Sequence, residues 1–346
     1  AQLRGNEILT CALDGEKSEF VRLNHGAVRQ AGSVTQAYLD ITLIDEQRQA
    51  SAKLTLTGDP ECDRGASSAL LTTLRDTIPH LVDDPHLLYS TDIQSTEQHG
   101  PNDCPRAEEV IEFVTREAAG TDFVGLYAGG AIHAGFANSL GQRNGFSSHS
   151  FHLDWSLYHR ADKAVKCGYA GTSWDGGRFT AKMSDARREL SVLERDPRSI
   201  APGRYRVYLA PTAVVEVLHL LGWGGFGLKN HRTRRSPLIR AVAGEERLAK
   251  GFSLSENTAD GLSPGFEKSG FIKPDRVDLF EGGTYRDALI SPRSAREYSV
   301  ATNGANGEEM PSSLDMAAGN YPDDQVLDEL GTGIYVNNLH YLNYSD

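Results

Sequence analysis

The stretch AVVEVLHLLGW, residues 213 to 223, sets Glu216 and His219 three apart among valines and leucines. Residues three apart share one face of a helix, so a carboxylate and an imidazole could act together there. The nearest chemistry is zinc hydrolysis, whose peptidase helix reads H-E-x-x-H, with two imidazoles on one face and the glutamate as general base. Val215 stands where the first histidine belongs, which leaves one imidazole for a centre that needs three protein ligands. Two readings stay open. Glu216 and His219 satisfy each other or nearby backbone inside a buried, almost wholly apolar helix. Alternatively they face a cavity as ligand and base, or line a substrate channel.

Other chemistry-bearing residues are weaker. GWGGFG, residues 222 to 227, follows a helix and lacks the Lys-Ser/Thr of a phosphate loop, so a structural turn is expected. His149, His152 and His159 lie in a strand-like run, where positions three apart point to opposite faces and make a poor ligand pair. KNHRTRRSPLIR, residues 229 to 240, is a basic island that reads as a solvated loop, or as a dock for an acidic partner or a peptide carboxylate. There is no G-x-S-x-G elbow, and spacing alone pairs no Cys with a His.

These residues need elements to position them. YLDITLI (38 to 44) and SAKLTLT (51 to 57) alternate as half-buried strands. Helices are predicted over 66 to 78 (Leu70, Leu74, Ile78), 106 to 119 (Val110, Ile111, Val114, Ala118) and 181 to 194 (Met183, Ala186, Leu190, Leu193). Between the last two lie the strand-like runs FVGLYAGG, SFHLDWSLY and KAVKCGYAG. RDPRSIAPG reads as a boundary, after which RYRVYLA is a strand and Thr212 can cap the helix carrying Glu216. A last short helix is predicted at 322 to 330, with Pro322 at its start, acids in its first turn and Gly331 beyond it. The expected fold is α+β: a mixed sheet-and-helix domain over 1–200, then a strand-rich domain over 201–346.

Bulk properties narrow the function classes. The 346 residues are 39% hydrophobic and 24% charged, as in a globular protein, and the net charge of −12 argues against nucleic acid as main partner. No run approaches the ~18 apolar residues of a membrane span, so no membrane role is expected. Four scattered cysteines without a C-x-x-C pair fit reduced thiols in the cytoplasm.

Several phrases together resemble the TldD/PmbA family, known as modulators of DNA gyrase, and its TldE branch in particular. They are EFVRLNHGAVRQAG (19 to 32), GFANSLGQRNGF (135 to 146), SFHLDWSLYHRADKAVKCGYAG (150 to 171), PGRYRVYLAPTAVVEVLHLLGWGGF (202 to 226), SPRSAREYSVATNGANGEE (291 to 309) and GTGIYVNNLHYLNYSD (331 to 346). The resemblance implies a cytosolic TldD–TldE heterodimer that acts as a metallopeptidase on unfolded or leader peptides. Its TldD subunit would carry zinc on an H-E-x-x-x-H helix plus a distant cysteine. This chain would hold no metal and no cofactor of its own. Carried over position by position, Val215 falls at the first His, Glu216 at the Glu and Leu220 at the second His. His219 is then one position out of register, about 100° around the helix. The family pattern also continues past Asp346. The resemblance therefore implies a C-terminal domain left incomplete there, either because the polypeptide is cleaved and the remainder stays bound or because the sequence is partial.

Three functions follow as expectations: the zinc-free subunit of a peptidase complex, a metallopeptidase active by itself through Glu216 and His219, or a non-enzymatic peptide-binding or regulatory protein.

Overall fold

A computed structural model describes residues 3–160, 162–322 and 325–344. The first half is organised by one seven-stranded sheet built from very long strands. β1 (Ile8–Asn24) and β2 (Ala27–Asp45) form a hairpin whose two-residue turn has His25 at φ 49° and Gly26 at φ 69°. Positive φ at both central residues is the tight turn that matches strand twist, and glycine adopts it without steric cost. β3 (Arg48–Thr55) follows, then α1 (Pro60–Thr77), β4 (Thr96–His99), α2 (Ala107–Glu117), β5 (Asp122–Asn138), β6 (Arg143–Arg160), β7 (Lys163–Gly171) and α3 (Gly176–Leu193). The strand order is β3-β2-β1-β5-β6, with β4 and β7 both pairing along the outer edge of β6.

The buried face changes along these strands. In β6, Asn144, Phe146 and Ser148 are buried at one end, whereas Phe151, Leu153, Trp155 and Leu157 are buried at the other. Even and odd positions point to opposite faces, so the two ends of one strand pack against different layers. The odd set meets α2 and α3 in an aromatic core that also holds Phe123, Tyr127, Tyr169, Phe179 and Met183. Its rings pack at close range, with Phe151–Tyr169 centroids 5.1 Å apart and Trp174–Phe179 5.3 Å apart. At the far side Ile41, Leu43 and Ala50 are covered by Leu71 and Leu74 of α1.

The second half is built from short elements: β8 (Val207–Leu209), α4 (Pro211–Gly222), α5 (Leu228–Arg232), α6 (Ile239–Val242), β9 (Leu254–Asn257), β10 (Arg276–Glu281), β11 (Thr284–Tyr285), α7 (Pro292–Tyr298), β12 (Leu314–Met316), α8 (Val326–Leu330) and β13 (Ile334–Val336). Four strands form a sheet in the order β11-β10-β9-β12, and β13 pairs in parallel with β8. The fold is α+β, as expected.

A loop of the second half, residues 264–274, lies on the even face of the first sheet. Phe266 and Ile272 pack on Phe136 and Phe146. The Gln142 amide donates to Gly270 O at 2.8 Å, and Lys268 reaches Asp40 at 2.6 Å and Asp14 at 3.0 Å.

Four expectations shift. α1 starts at Pro60, not near 66, because Asp59 caps it by accepting from the Glu61 and Cys62 amides. α3 starts at Gly176 with Asp175 as its cap, accepting from Arg178 N. The run 204 to 210 narrows to the three residues of β8. The last helix spans only Val326–Leu330, with Gly331 past its end, and the acids Asp323 and Asp324 lie outside the described residues. Asp346, where further strands were expected to follow, lies outside them too.

Candidate functional site

The helix carrying Glu216 and His219 is α4. It begins with Ala210 as cap residue and Pro211 in its first turn; Thr212 is not the cap and no side chain caps it. Proline suits that position because the amide it lacks would be unbonded anyway. Gly222 is the last helical residue, and the chain then turns through Gly224 at φ 90°.

The expectation of a buried α4 is overturned. Only Ala213 and Gly222 are buried, and Val215 is 61% exposed. One stripe, Leu218 and Leu221, packs on the core that holds Phe226, Leu254 and Leu279. The second half offers a core on one side only, so Val214, Val217 and Leu220 are no more than half-buried and Val215 is largely exposed. Around α4 the exposure continues. Of the 21 large apolar side chains exposed among the described residues, ten fall within 205–223 and 321–344, including Trp223 at 50% and Tyr335 at 41%. Those stretches touch one another: Tyr208 stacks on Tyr335 at 5.3 Å, and the Tyr344 hydroxyl donates to Leu220 O at 2.8 Å. Exposed apolar residues clustered in this way are uncommon on a protein surface, whereas scattered ones would need no explanation.

Glu216 is half-buried and His219 exposed. They form no hydrogen bond or ion pair with each other, so the reading in which they satisfy one another in a core is not met. His219 packs edge-on against Trp223, centroids 6.1 Å apart. Among the described residues no three His, Cys, Asp or Glu side chains gather as a metal site would require. The donors on α4 therefore do not fit zinc.

Several of the other sequence candidates make structural contacts. Gly227 sits so close to Glu309 that an added Cβ would lie 2.8 Å from that side chain. Glu309, 2% exposed, accepts from the Lys229 amide and from the Ser291 amide and hydroxyl. Within the basic island His231 is buried, and its Nε2–H donates to Gly225 O at 2.8 Å. Burial pushes its imidazole below the usual histidine range. Arg240 pairs with Glu246 at 2.7 Å, and Arg232 lies over the Tyr298 ring. The exposed His152 pairs with Asp154 at 3.1 Å, whereas His149 is half-buried.

Sequence reasoning missed a titratable cluster where the halves meet. A cavity of about 220 Å³ is lined by Ala12 and Phe136 from the first sheet and by Phe266, Glu267, Lys273 and Ser312 from the second half. Burial raises the Glu267 carboxyl and lowers the Lys273 ammonium. Glu267 accepts from the Ser269 amide at 2.7 Å and hydroxyl at 3.1 Å, which closes the 264–274 loop. Glu256 accepts from the amides of Ser312 and Ser313, and its second oxygen is buried without a partner. The cluster anchors the loop. It holds no nucleophile activated by a base. Its charged residues lie on irregular loop and strand segments, with Glu256 eleven positions before Glu267 and Lys273 six after it, so no helical or strand spacing could have found it.

Comparison with known proteins agrees with this architecture. Residues 202–346 match the family described as the PmbA/TldA metallopeptidase C-terminal domain. No curated protein matches the sequence significantly. The fold resembles that of a candidate modulator of DNA gyrase from Thermotoga maritima, at TM-score 0.77 and 14% identity, over 97% of this chain and 79% of that one. It also resembles TldE from Thermococcus kodakarensis, at TM-score 0.72 and 13% identity, over 97% and 80% of the two chains. A candidate modulator of DNA gyrase from Bacteroides thetaiotaomicron aligns at TM-score 0.73 and 15% identity, over 97% and 78%. The second part of the chain, residues 202–346, is thus similar to the C-terminal domain of the PmbA/TldA metallopeptidases, and the fold as a whole is that of the solved structures just named.

Proposed function

We propose that this chain is the zinc-free, TldE-like subunit of a TldD–TldE-type metallopeptidase complex of the cytoplasm. In that complex it binds unfolded or leader peptides and helps present them to a TldD-like partner that carries the zinc. One observation carries the reading: α4, which resembles a zinc helix, offers Val215 and Leu220 at the ligand positions and leaves Val215 on an open apolar surface. A helix that kept its own hydrolytic site would need three convergent donors there. An apolar helix without ligands, covered by its own chain on one side only, is instead suited to packing against a second subunit. The likeness to a TldE fold is consistent with that role.

Co-expression with a candidate subunit bearing an H-E-x-x-x-H helix tests the proposal. A stable complex that degrades an unfolded reporter peptide is expected, with Glu216→Gln changing its rate by less than about twofold, as a group outside the chemistry should. Metal-dependent hydrolysis by this chain alone, abolished in Glu216→Gln, would establish instead a peptidase active by itself.

A further inference from the structure

The helices of the first half lie on the odd face of the long sheet, and the 264–274 loop covers only one end of the even face. The other end is open. There a concavity of about 600 Å³ is lined by Val124 and Leu126 at its floor and by Arg22, Arg29 and Lys166 around it. Leu126 is 44% exposed, and all three cations are exposed. Among the described residues none of the three has a carboxylate partner. The single acid lining the concavity, Asp154, is engaged by His152 at 3.1 Å. In a chain of net charge −12, three unpaired cations on one bare sheet face are out of keeping with the rest.

The backbone has a feature that builds this arrangement. Arg22 pairs with Gln30 while Leu23 pairs with Val28, so Arg29 is an extra residue in β2. In regular β structure Arg29 and Gln30 would point to opposite faces; the bulge re-aims the side chain, and both line the concavity. Arg22 lies on β1 and Lys166 on β7, three strand spacings apart across β5 and β6. At about 4.8 Å per strand that is roughly 14 Å, or about four residues of extended chain. Acids at i and i+4 of an extended segment point the same way and would meet the two ends.

We infer that this groove on the open face of the sheet binds an extended acidic segment of polypeptide, its carboxylates meeting Arg22, Arg29 and Lys166 and its apolar side chains resting on Val124 and Leu126. The inference rests on the peptide-binding reading above and adds a substrate preference to it. The apolar floor favours polypeptide over a nucleic acid backbone, which has no apolar side chains to place there.

Fluorescence anisotropy on the isolated chain tests it. The probes are labelled decapeptides with Glu, Gln or Lys at two positions four apart, Leu between them, and a single-stranded oligodeoxynucleotide of equal charge. The Glu peptide should bind about tenfold or more tightly than the Gln peptide, with the Lys peptide weakest, and the preference should fade as salt shortens the Debye length below about 10 Å. Arg22→Glu/Arg29→Glu should abolish the preference, and Arg22→Lys/Arg29→Lys should retain most of it, with unchanged circular dichroism in both. Equal affinity for all three peptides, or oligonucleotide binding at least as tight as the Glu peptide, would overturn the inference. Either result leaves the subunit proposal standing, because pairing with a zinc-bearing partner is measured separately.

Discussion

α3 and α4 invert the usual relation between sequence and burial. α3 is rich in charge, yet it sinks Phe179, Met183 and Ala186 completely into the first core. α4 is almost wholly apolar, yet it buries only Ala213 and Gly222 and leaves Val215 and the neighbouring Trp223 largely exposed. The difference lies in what each helix meets. Long strands of the first sheet present a continuous aromatic floor to α3, whereas the short strands of the second half give α4 a core on one side only. Apolar content measures how much surface a helix has to hide, and that surface need not be hidden by its own chain.

Substitutions in the two helices and their surroundings separate the two cases. Trp155 lies at the centre of the α3 core, 5.2 Å from the Phe179 ring, and Trp155→Ala should cost about 3–5 kcal/mol in chemical unfolding. Trp155→Phe should cost far less, because the indole N–H is buried without a partner and its removal offsets some of the lost contact. If both variants unfold alike, the core is not packed as described. The ion pair between Glu7 and Arg75, two-pronged at 2.7 and 2.8 Å, ties the start of the chain to α1. The Arg75 guanidinium holds the Glu7 carboxyl below its usual range. A depressed folded-state value means stabilisation that is full above the unfolded value near 4.5 and lost as pH falls through the folded one. Glu7→Gln should therefore lower stability at neutral pH and flatten the acid limb of the thermal midpoint against pH. An unchanged acid limb would discount the pair.

On α4 the expected effect on stability is the smallest. Val215→Lys should change the unfolding free energy of the isolated chain by less than about 0.5 kcal/mol, as for an ordinary surface position. The same variant should weaken association with a zinc-bearing subunit by about tenfold or more, since a charge would be buried in an apolar contact. A large loss of stability in the isolated chain would mean that α4 is covered by its own chain after all.

What was legible in the sequence follows from the same contrast. Where one face stays the covered one throughout, as in β3 or along Val110, Ile111 and Val114 of α2, periodicity reads directly. β1 and β6 are much longer than any alternating run because their buried face changes midway, which breaks the pattern without breaking the strand. The caps Asp59 and Asp175 are present as signals, but they stand several residues ahead of the first apolar stripe, which alone marks the helix by periodicity. The exposure of α4 was illegible in principle, since a buried helix and an exposed apolar one share a composition. At the site, the lack of a second imidazole on α4 could be read from spacing alone. The loop-anchoring cluster of Glu256, Glu267 and Lys273 and the cationic groove could not, because long-range pairing assembles both.

Zinc stoichiometry tests the central claim most directly. The purified chain, loaded with zinc and dialysed, is compared by elemental analysis with its complex with an H-E-x-x-x-H subunit. Retention of about one zinc per complex and a negligible amount on the chain alone is the expected result. One tightly held zinc per isolated chain, lost in His219→Ala, would contradict the account.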